Sequence, residues 1–539
     1  MNRRHFLQLA ALSGAQILAA RTATAESSER SPAPTASFRI KPFELEEATI
    51  AELQAAMKSG RETAVSLVKK YLKRIEEFDR RGPALRAVLE VNPDALAIAR
   101  ALDQERKARG PRGPLHGIPV LIKDNIGTHD RMMTTAGSLA LLGSMAPRDS
   151  FVAQKLREAG AIILGKANLS EWANFRAERS SSGWSARGGQ TKNPYALDRN
   201  PSGSSSGPAA AVSANFCVVA VGTETDGSII VPATLCGVVG IKPTVGLISR
   251  SGIIPISKSQ DTAGPMARTV TDAAILLGAL TGVDSRDDAT ESSRGKSHQD
   301  YAQFLDANGL RGARIGVARR FFRSGALTTK LLEAALEEIK RLGATLVDFT
   351  DDIGRGGAGE WEVLQYEFKD GVNAYLAALG PNAPVKTLQD IIEFNEKNKE
   401  REMPFFQQET FLKAQAKGPL TEQAYLDALA RCRRLSRDEG IDAVMDKNQL
   451  DAIVGPAGGP AGPTDLIYGD RDSGGGSASP AAVAGYPNIT VPAGQIHGLP
   501  VGVSFFGRAY SEPALLKFAF AFEQATKARK PPKFRPTID

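Results

Sequence analysis

The sequence predicts an α/β protein, a single α/β/α domain with a large mixed, mostly parallel sheet covered by helices on both sides. Two patterns lead to this prediction. Short apolar runs, such as residues 118–122, are typical of buried strands, and they alternate with segments whose apolar residues recur at helical spacing. Such alternation is typical of a sheet with helices on both faces. With 539 residues, 42% of them hydrophobic, the chain is long enough to bury this core.

The predicted elements of the first part of the chain alternate regularly. Val65, Val68, Leu72 and Ile75 share one helical face. Pro93 suits the first turn of a later helix, because its fixed backbone angle is already helical. The elements predicted up to residue 165 are helices over 65–75, 93–109 and 151–159 and strands over 86–91, 118–122 and 161–164.

Beyond residue 180 the pattern changes twice. Residues 180–207 are rich in Gly, Ser, Asn and Pro and have no period, and such a stretch inside a domain is usually functional or disordered. Sheet-like segments follow the polar loop 222–228 as far as Pro243. The later predicted elements are a strand over 313–318, a helix over 330–342, a helical elaboration over about 355–450 and strands over 452–454, 488–491 and 501–506.

The first 25 residues are expected to form a twin-arginine-type signal peptide. Arg3 and Arg4 precede a short apolar stretch that leads to the small-residue cleavage site Ala23-Thr24-Ala25. Residues 26–40 are rich in Ser, Pro and Thr and are expected to be a disordered lead-in. The domain would then span 41–539 and act in the periplasm or outside the cell. No later segment predicts a membrane span, so we expect no stable membrane association.

Composition argues against several classes of function. Of the 67 basic residues three lie in the predicted signal, which leaves a small excess over the 60 acidic residues and no basic stripe typical of nucleic-acid binding. The five histidines do not pair at helical spacing, and Cys-x-x-Cys is absent, so no protein-bound metal is predicted. No phosphate-loop lysine follows the glycine-rich segment 203–207. We therefore expect no metal, no nucleotide and no other cofactor.

A serine-rich loop carries the strongest chemical signal. Gly203 to Gly207 satisfies the Gly-x-Ser-x-Gly pattern, which nominates Ser205 as a nucleophile on a turn between strand and helix. An esterase of the α/β-hydrolase type would combine Ser205 with an Asp and with His298 or His497. A non-catalytic periplasmic peptide-binding protein is another alternative, because the length and the predicted signal fit that class.

Three longer motifs occur in order and favour a different interpretation. They are Gly117-Ile118-Pro119-Val120-Leu121-Ile122-Lys123-Asp124-Asn125, Pro201-Ser202-Gly203-Ser204-Ser205-Ser206-Gly207 and Gly222-Thr223-Glu224-Thr225-Asp226-Gly227-Ser228-Ile229. Further matching segments lie at 165–172, 190–194, 236–244, 261–266, 487–492 and 499–503. Together they resemble the amidase signature family over about residues 45–525. The resemblance implies an amidase that hydrolyses the carbon–nitrogen bonds of linear amides.

The resemblance also implies a triad of two serines and a lysine. Ser228 would be the nucleophile, Ser204 the proton relay and Lys123 the ultimate base, with a cis peptide bond between Gly203 and Ser204. These residue types suit the chemistry, because a serine hydroxyl needs a base and burial favours a neutral lysine amine. The residues expected around the oxyanion and the substrate are Thr225, Asp226, Gly227 and Ser205.

Departures from the common family pattern bear on the substrate. Glu224 and Asp226 stand where many members have Asp and Gly, and Ile230 and Val231 stand where many carry Arg. The side chain of Asp226 is expected to point away from the oxyanion or to meet a positive group. This variant and the segment 183–190 look most like bacterial peptide amidases, which release ammonia from the C-terminal carboxamide of peptides. The expected substrate is therefore a peptide amide, with aryl or other small-molecule amides as the alternative.

Overall fold

A mixed sheet of eleven strands is the framework of the computed structural model, which describes residues 42–381, 383–471 and 476–538. The described residues form these strands, of which all but β4 and β5 belong to the large sheet: β1 (Val88–Val91), β2 (Pro119–Lys123), β3 (Ile162–Ala167), β4 (Trp184–Ser185), β5 (Gly189–Gln190), β6 (Val219–Glu224), β7 (Val239–Lys242), β8 (Thr262–Ala267), β9 (Arg314–Ala318), β10 (Thr345–Phe349), β11 (Ala452–Gly458), β12 (Asn488–Ile496) and β13 (Leu499–Phe506). The order in the sheet is β1-β3-β2-β6-β8-β7-β12-β13-β11-β9-β10, and β4 and β5 form a separate pair.

Parallel pairing occurs in two blocks of this sheet. Strand β2 lies parallel to its neighbours β3 and β6, and β9 lies parallel to its neighbours β10 and β11. The remaining pairings are antiparallel, among them the β12–β13 hairpin, whose connection is too short for a parallel crossover. The predicted large mixed sheet is confirmed, but only four of its ten strand pairings among the described residues are parallel, so the expectation that it is mostly parallel is wrong.

Some helices cover the strands of the sheet, and others form the elaboration over 355–450. They are α1 (Ile50–Lys58), α2 (Ala64–Ile75), α3 (Ala95–Arg109), α4 (Phe151–Glu158), α5 (Ser206–Ser213), α6 (Ile230–Leu235), α7 (Val270–Leu280), α8 (Ala326–Arg341), α9 (Glu360–Ala378), α10 (Leu388–Lys397), α11 (Lys399–Glu402), α12 (Glu409–Gln415), α13 (Gln423–Arg433), α14 (Asp442–Asn448), α15 (Ala478–Ala484) and α16 (Glu512–Thr526). Every residue of β2, β3 and β6 is buried, which explains their continuous apolar runs.

One predicted stretch of sheet is wrong. Residues 230–235 lie within the segment expected to be sheet-like, but they form helix α6. Their β-branched side chains favour a strand locally. The carboxylate of Glu224 nevertheless accepts hydrogen bonds from the backbone N–H groups of Ile229 and Ile230, at 2.6 and 2.9 Å, and so caps the start of a helix. The structure elsewhere confirms the predicted strands and helices to within a few residues.

The predicted helical elaboration over 355–450 is present as helices α9 to α14 and the turns between them. Its apolar side chains, such as Phe368 and Phe411, pack with Trp172 and Phe175 in a cluster of their own. The described residues fall within one compact unit that spans 38–539. No helix in the described parts of the chain is long and apolar enough to cross a bilayer. The predicted signal peptide and lead-in lie outside the described residues.

Strand order explains how distant motifs meet. Strands β2 and β6 are parallel neighbours, so their carboxyl ends lie on the same edge of the sheet. Lys123 ends β2 and Glu224 ends β6. The segment before α5 joins them at this edge, because its Ser205 hydroxyl donates to the carbonyl of Thr223 at 2.9 Å. Polar residues from three motifs therefore gather where the two strands end.

Candidate active site

Lys123 lies at the centre of this cluster and is fully buried. Its Nζ lies 2.7 Å from Ser204 Oγ, 2.8 Å from Thr223 Oγ1 and 3.1 Å from the carbonyl oxygen of Thr223. Burial lowers the pKa of Lys123 to about 7, although the charges of Asp261 and Glu224 oppose that shift. A large share of this amine is therefore neutral near neutral pH and able to accept a proton.

Ser204 is the hydroxyl that faces this amine. It is fully buried, and the Gly203–Ser204 peptide bond is cis, as expected. Its carbonyl accepts a hydrogen bond from the backbone N–H of Ser170 at 3.1 Å. A Cβ on Gly203 would lie 2.1 Å from Ser170 Oγ, so only glycine fits there without rearrangement. These contacts hold the Ser204 hydroxyl at the lysine.

Ser228 stands on the loop between β6 and α6, and only 8% of it is exposed. The backbone N–H of Ser205 donates to the carbonyl of Ser228 at 3.1 Å, which ties the Ser204 segment to the Ser228 loop. Within the described residues no hydrogen bond engages the Ser228 hydroxyl. This hydroxyl is therefore available to a substrate on a loop that is fixed on both sides.

The residues just before Ser228 present unpaired backbone donors. Gly227 has a φ of +75°, a conformation that favours glycine. No group in the described parts of the chain accepts a hydrogen bond from the N–H groups of Asp226, Gly227 or Ser228. The N–H groups that follow, those of Ile229 and Ile230, are engaged by Glu224. Free N–H groups in such a turn can stabilise a negatively charged oxygen.

The two other predicted residues of this region are engaged within the protein. The hydroxyl of Thr225 donates to Asp261 Oδ1 at 2.5 Å. The hydroxyl of Ser205 is fully buried and also accepts from the N–H of Thr223 at 3.2 Å. Both side chains brace the loops around the site, and a direct role of either one with the substrate stays a prediction.

The carboxyl group of Asp226 has an acid, rather than the expected positive group, as a neighbour. Its carboxyl group lies within hydrogen-bonding reach of Glu360 at the start of α9. Burial and the charge of Glu360 raise the pKa of Asp226 well above its usual range, whereas Lys242 opposes this shift. The expected positive partner is thus replaced by an acid, and Lys242 acts on Asp226 only through its charge.

Sequence reasoning missed three residues that contact the cluster. Thr223 Oγ1 accepts hydrogen bonds from Lys123 Nζ and, at 2.9 Å, from Asn125 Nδ2. Asp261 accepts from Thr225. All three lie inside motifs that the sequence analysis had matched, so their motif membership was the available signal. Their polar side chains next to strand ends were the second signal.

The arrangement required by the esterase alternative is not formed. His298 packs against the rings of Tyr301 and Phe304, and His497 is exposed on the β12–β13 turn. Within the described residues, Ser205 makes no hydrogen bond to a histidine. The chain thus brings Lys123 and Ser204 together, and it does not bring Ser205 to an imidazole base.

A cavity of about 390 Å³ lies beside the nucleophile loop. Val231, whose side chain lies next to Gly227, forms part of its wall, together with Ser202 and Leu235. Asn200 and residues 462–465 and 470–471 line the rest of it. Among the described residues no group of three or more His, Cys, Asp or Glu side chains could hold a metal ion. The expectation that no cofactor is needed stays a prediction.

Comparison with known proteins agrees with this geometry. The model of the amidase family matches residues 66–516. A probable amidase of Arabidopsis thaliana is 46% identical over 503 residues, covering 91% of this chain and 92% of that protein. The X-ray structure of native peptide amidase from Stenotrophomonas maltophilia has a TM-score of 0.87 and 50% identity, covering 92% of this chain and all of that chain.

A second solved structure carries a ligand. It is a peptide amidase in complex with the competitive inhibitor chymostatin, with a TM-score of 0.88 and 51% identity, covering 91% of this chain and 100% of that chain. The family model, the relative and both structures cover the fold and the site described above. The chain therefore belongs to the amidase family and is a hydrolase that acts on the carbon–nitrogen bonds of linear amides.

Proposed function

We propose that this amidase hydrolyses the C-terminal carboxamide of peptides through an acyl intermediate on Ser228. The observation that carries the catalytic part is the contact between the buried Lys123 amine and the Ser204 hydroxyl, at 2.7 Å. A lysine becomes a useful base only when its surroundings favour the neutral amine, and burial does so here.

We extend this contact to a proton path that reaches Ser228, whose backbone carbonyl accepts a hydrogen bond from the N–H of Ser205 beside Ser204. Neutral Lys123 accepts the proton of Ser204, which accepts the proton of Ser228 as the Ser228 oxygen attacks the amide carbonyl. The carbon–nitrogen bond then breaks, and the proton returns through Ser204 to the leaving nitrogen, so that ammonia departs. Water attacks the acyl ester by the same relay and releases the peptide acid and free Ser228.

The free N–H groups of Asp226, Gly227 and Ser228 would stabilise the oxyanion that forms in both steps. In other enzymes the loss of one such donor lowers kcat by about 10²–10³-fold. Here the donors are fixed in advance, because Glu224 holds the start of α6 just beyond them and Asp261 holds the Thr225 side chain just before them. Preorganised donors of this kind need no rearrangement during the reaction.

Two observations support a peptide amide as the substrate. The two solved peptide amidases are about half identical to this chain over nearly its whole length. The part of the cavity wall that α6 contributes, Val231 and Leu235, is apolar, so no charge on α6 selects a small acidic substrate, although Asp465, Asp470 and Arg471 line the rest of the wall. A cavity of this size accommodates an amino-acid side chain and its backbone.

A panel of substrates tests the proposal. We expect ammonia release from peptide amides with kcat/KM well above that for free amino-acid amides and aryl anilides, and no cleavage of internal peptide bonds. Ser228→Ala should abolish release, whereas His298→Ala and His497→Ala should stay active. Preferential cleavage of anilides would favour the small-molecule alternative, and full activity of Ser228→Ala would exclude the acyl-Ser228 route.

We also propose that residues 1–25 export the enzyme to the periplasm or the medium. The paired arginines Arg3 and Arg4 support this proposal. Fractionation of cells that express the full chain should find the enzyme outside the cytoplasm. Replacement of both arginines by lysine should retain it inside, and unchanged export of that variant would contradict a twin-arginine route.

A further inference from the structure

The loop before Ser228 is joined to the helical elaboration by two acids. Asp226 lies within hydrogen-bonding reach of Glu360, the first residue of α9. Two carboxyl groups form a hydrogen bond to each other only if at least one carries a proton. Both side chains are partly exposed, so that proton can exchange with solvent. The two acids therefore form a pair that shares a proton.

Gln260 provides a second link between the same two elements. Its Nε2 donates to Glu360 Oε1 at 2.8 Å and to the carbonyl oxygen of Thr225 at 3.3 Å. Gln260 is almost fully buried, at 2% exposure. Glu360 thus reaches both residues that precede Gly227, one directly and one through a fixed amide.

We infer that Glu360 is a positioning residue for the reaction, which, with Asp226, holds the loop 225–227 so that its free N–H groups stay directed at the oxyanion. This inference rests on the proposed function, because it assigns those N–H groups to the oxyanion. Asp226 itself carries one of the proposed donors, and a displacement of about 1 Å at such a site can lower a rate about 10²-fold.

The pH dependence expected for activity follows from the shared proton of Asp226 and Glu360 and from the charges around the pair. The charged or titratable groups near the pair are Glu224 of β6, Lys242 of β7 and Cys432 of α13. Burial raises the pKa of both Asp226 and Glu360, and the charge of Glu360 adds to the shift at Asp226. As the pH rises, the pair loses its shared proton and two adjacent carboxylates repel each other. The loop then moves, so activity falls on the alkaline side.

The test measures the rate at which a fluorophosphonate probe labels Ser228 between pH 5 and 10. The probe does not depend on the acyl specificity of the enzyme, and its phosphoryl oxygen needs the same donors. The variants are Glu360→Gln, Glu360→Ala and, as a matched control from the same helix, Glu367→Gln. Glu367 binds Ser257 and Tyr425 rather than the loop 225–227. Thermal unfolding shows whether each variant is folded.

We expect the alkaline loss of labelling to disappear in Glu360→Gln, because an amide donates to Asp226 without a shared proton. Glu360→Ala should be labelled about tenfold more slowly at every pH. Glu367→Gln should keep the pH profile of the unmodified enzyme. An alkaline loss that is unchanged in Glu360→Gln, or normal labelling of Glu360→Ala, would overturn the inference. If Ser228→Ala is labelled as well as the unmodified enzyme, the proposed function itself fails, and that outcome is separate.

Discussion

Two buried lysines on neighbouring strands, Lys123 of β2 and Lys166 of β3, have different surroundings. Both are fully buried, and burial lowers the pKa of Lys123 to about 7 and that of Lys166 to about 8. Lys123 Nζ contacts the hydroxyl of Ser204, whereas Lys166 Nζ contacts the carbonyl oxygen of Ile126 at 2.5 Å and a threonine hydroxyl at 2.9 Å. Both amines also contact a carbonyl oxygen and a threonine hydroxyl, so the difference lies in Ser204, whose segment is tied to the Ser228 loop.

The register of the two strands explains this difference. Ile122 pairs with Lys166, and Lys123 pairs with Ala167, so the two lysines are offset by one residue. Side chains alternate between the faces of a sheet, so this offset sends the lysines to opposite faces. One face carries the serine loop, and the other carries the turn after β2. Burial alone therefore does not make a lysine a base, and the face on which it lies decides its role.

The largest effect should come from replacing Lys123 by methionine. The variant loses the base for Ser204, and general-base catalysis contributes about 10²–10⁴-fold in other enzymes. We expect kcat for ammonia release from a peptide amide to fall about 10³-fold or more, with KM little changed. Thermal unfolding confirms that the variant is folded. Activity near that of the unmodified enzyme would mean that Lys123 is no more a base than Lys166.

The pH dependence of kcat/KM should report the protonation of Lys123. The neutral amine is the active form, and the pKa of Lys123 is lowered to about 7 by burial. Below pH 7 the amine becomes protonated, so kcat/KM should fall about tenfold per pH unit, with one proton involved. The measurement is kcat/KM between pH 5 and 8. The same fall of kcat/KM below pH 7 should be seen in Lys166→Met. A shift of its midpoint in that variant would contradict the assignment of this pH dependence to Lys123.

Replacing Thr223 should lower kcat less than replacing Lys123 does. Its hydroxyl accepts hydrogen bonds from both Lys123 Nζ and Asn125 Nδ2, and so orients the amine toward Ser204. Thr223→Val keeps the shape of the side chain and removes this acceptor. We expect kcat to fall about tenfold, because a misplaced base is less effective. Thr223→Ser, which retains the hydroxyl, is the control and should recover most of the activity.

The residues of this site that lie in motifs could be predicted from sequence, whereas Glu360, which lies far from those motifs along the chain, could not. Lys123, Ser204 and Ser228 each lie in a recognisable motif, and parallel strands bring those motifs together. Lys166 also follows an apolar run within a matching motif, so the local pattern does not distinguish it from Lys123, and only the resemblance to the family assigned the base to Lys123. Glu360 lies far along the chain in the helical elaboration, where no motif was matched, and only the packing of α9 brings it to Asp226.

The smallest effect on activity should come from Lys166→Met, the same replacement on the other face. We expect kcat/KM to change less than about twofold, because Lys166 contacts no residue of the proposed proton path. Its effect should be on stability instead. A lysine whose folded pKa is lowered to about 8 binds fewer protons in the folded state than in the unfolded state, where its pKa is about 10.4.

The free energy of unfolding should therefore rise with pH between about 8 and 10, by up to about 1.4 kcal/mol per pH unit for this one proton. Lys166→Met removes that contribution, so the slope measured by urea unfolding across this range should be shallower by that amount. Lys123 and the buried Lys242, whose pKa burial lowers to about 8, keep their own contributions in the variant. An unchanged slope would show that Lys166 is not buried as an ionisable group. A large loss of activity would show that the two faces of the sheet are not independent.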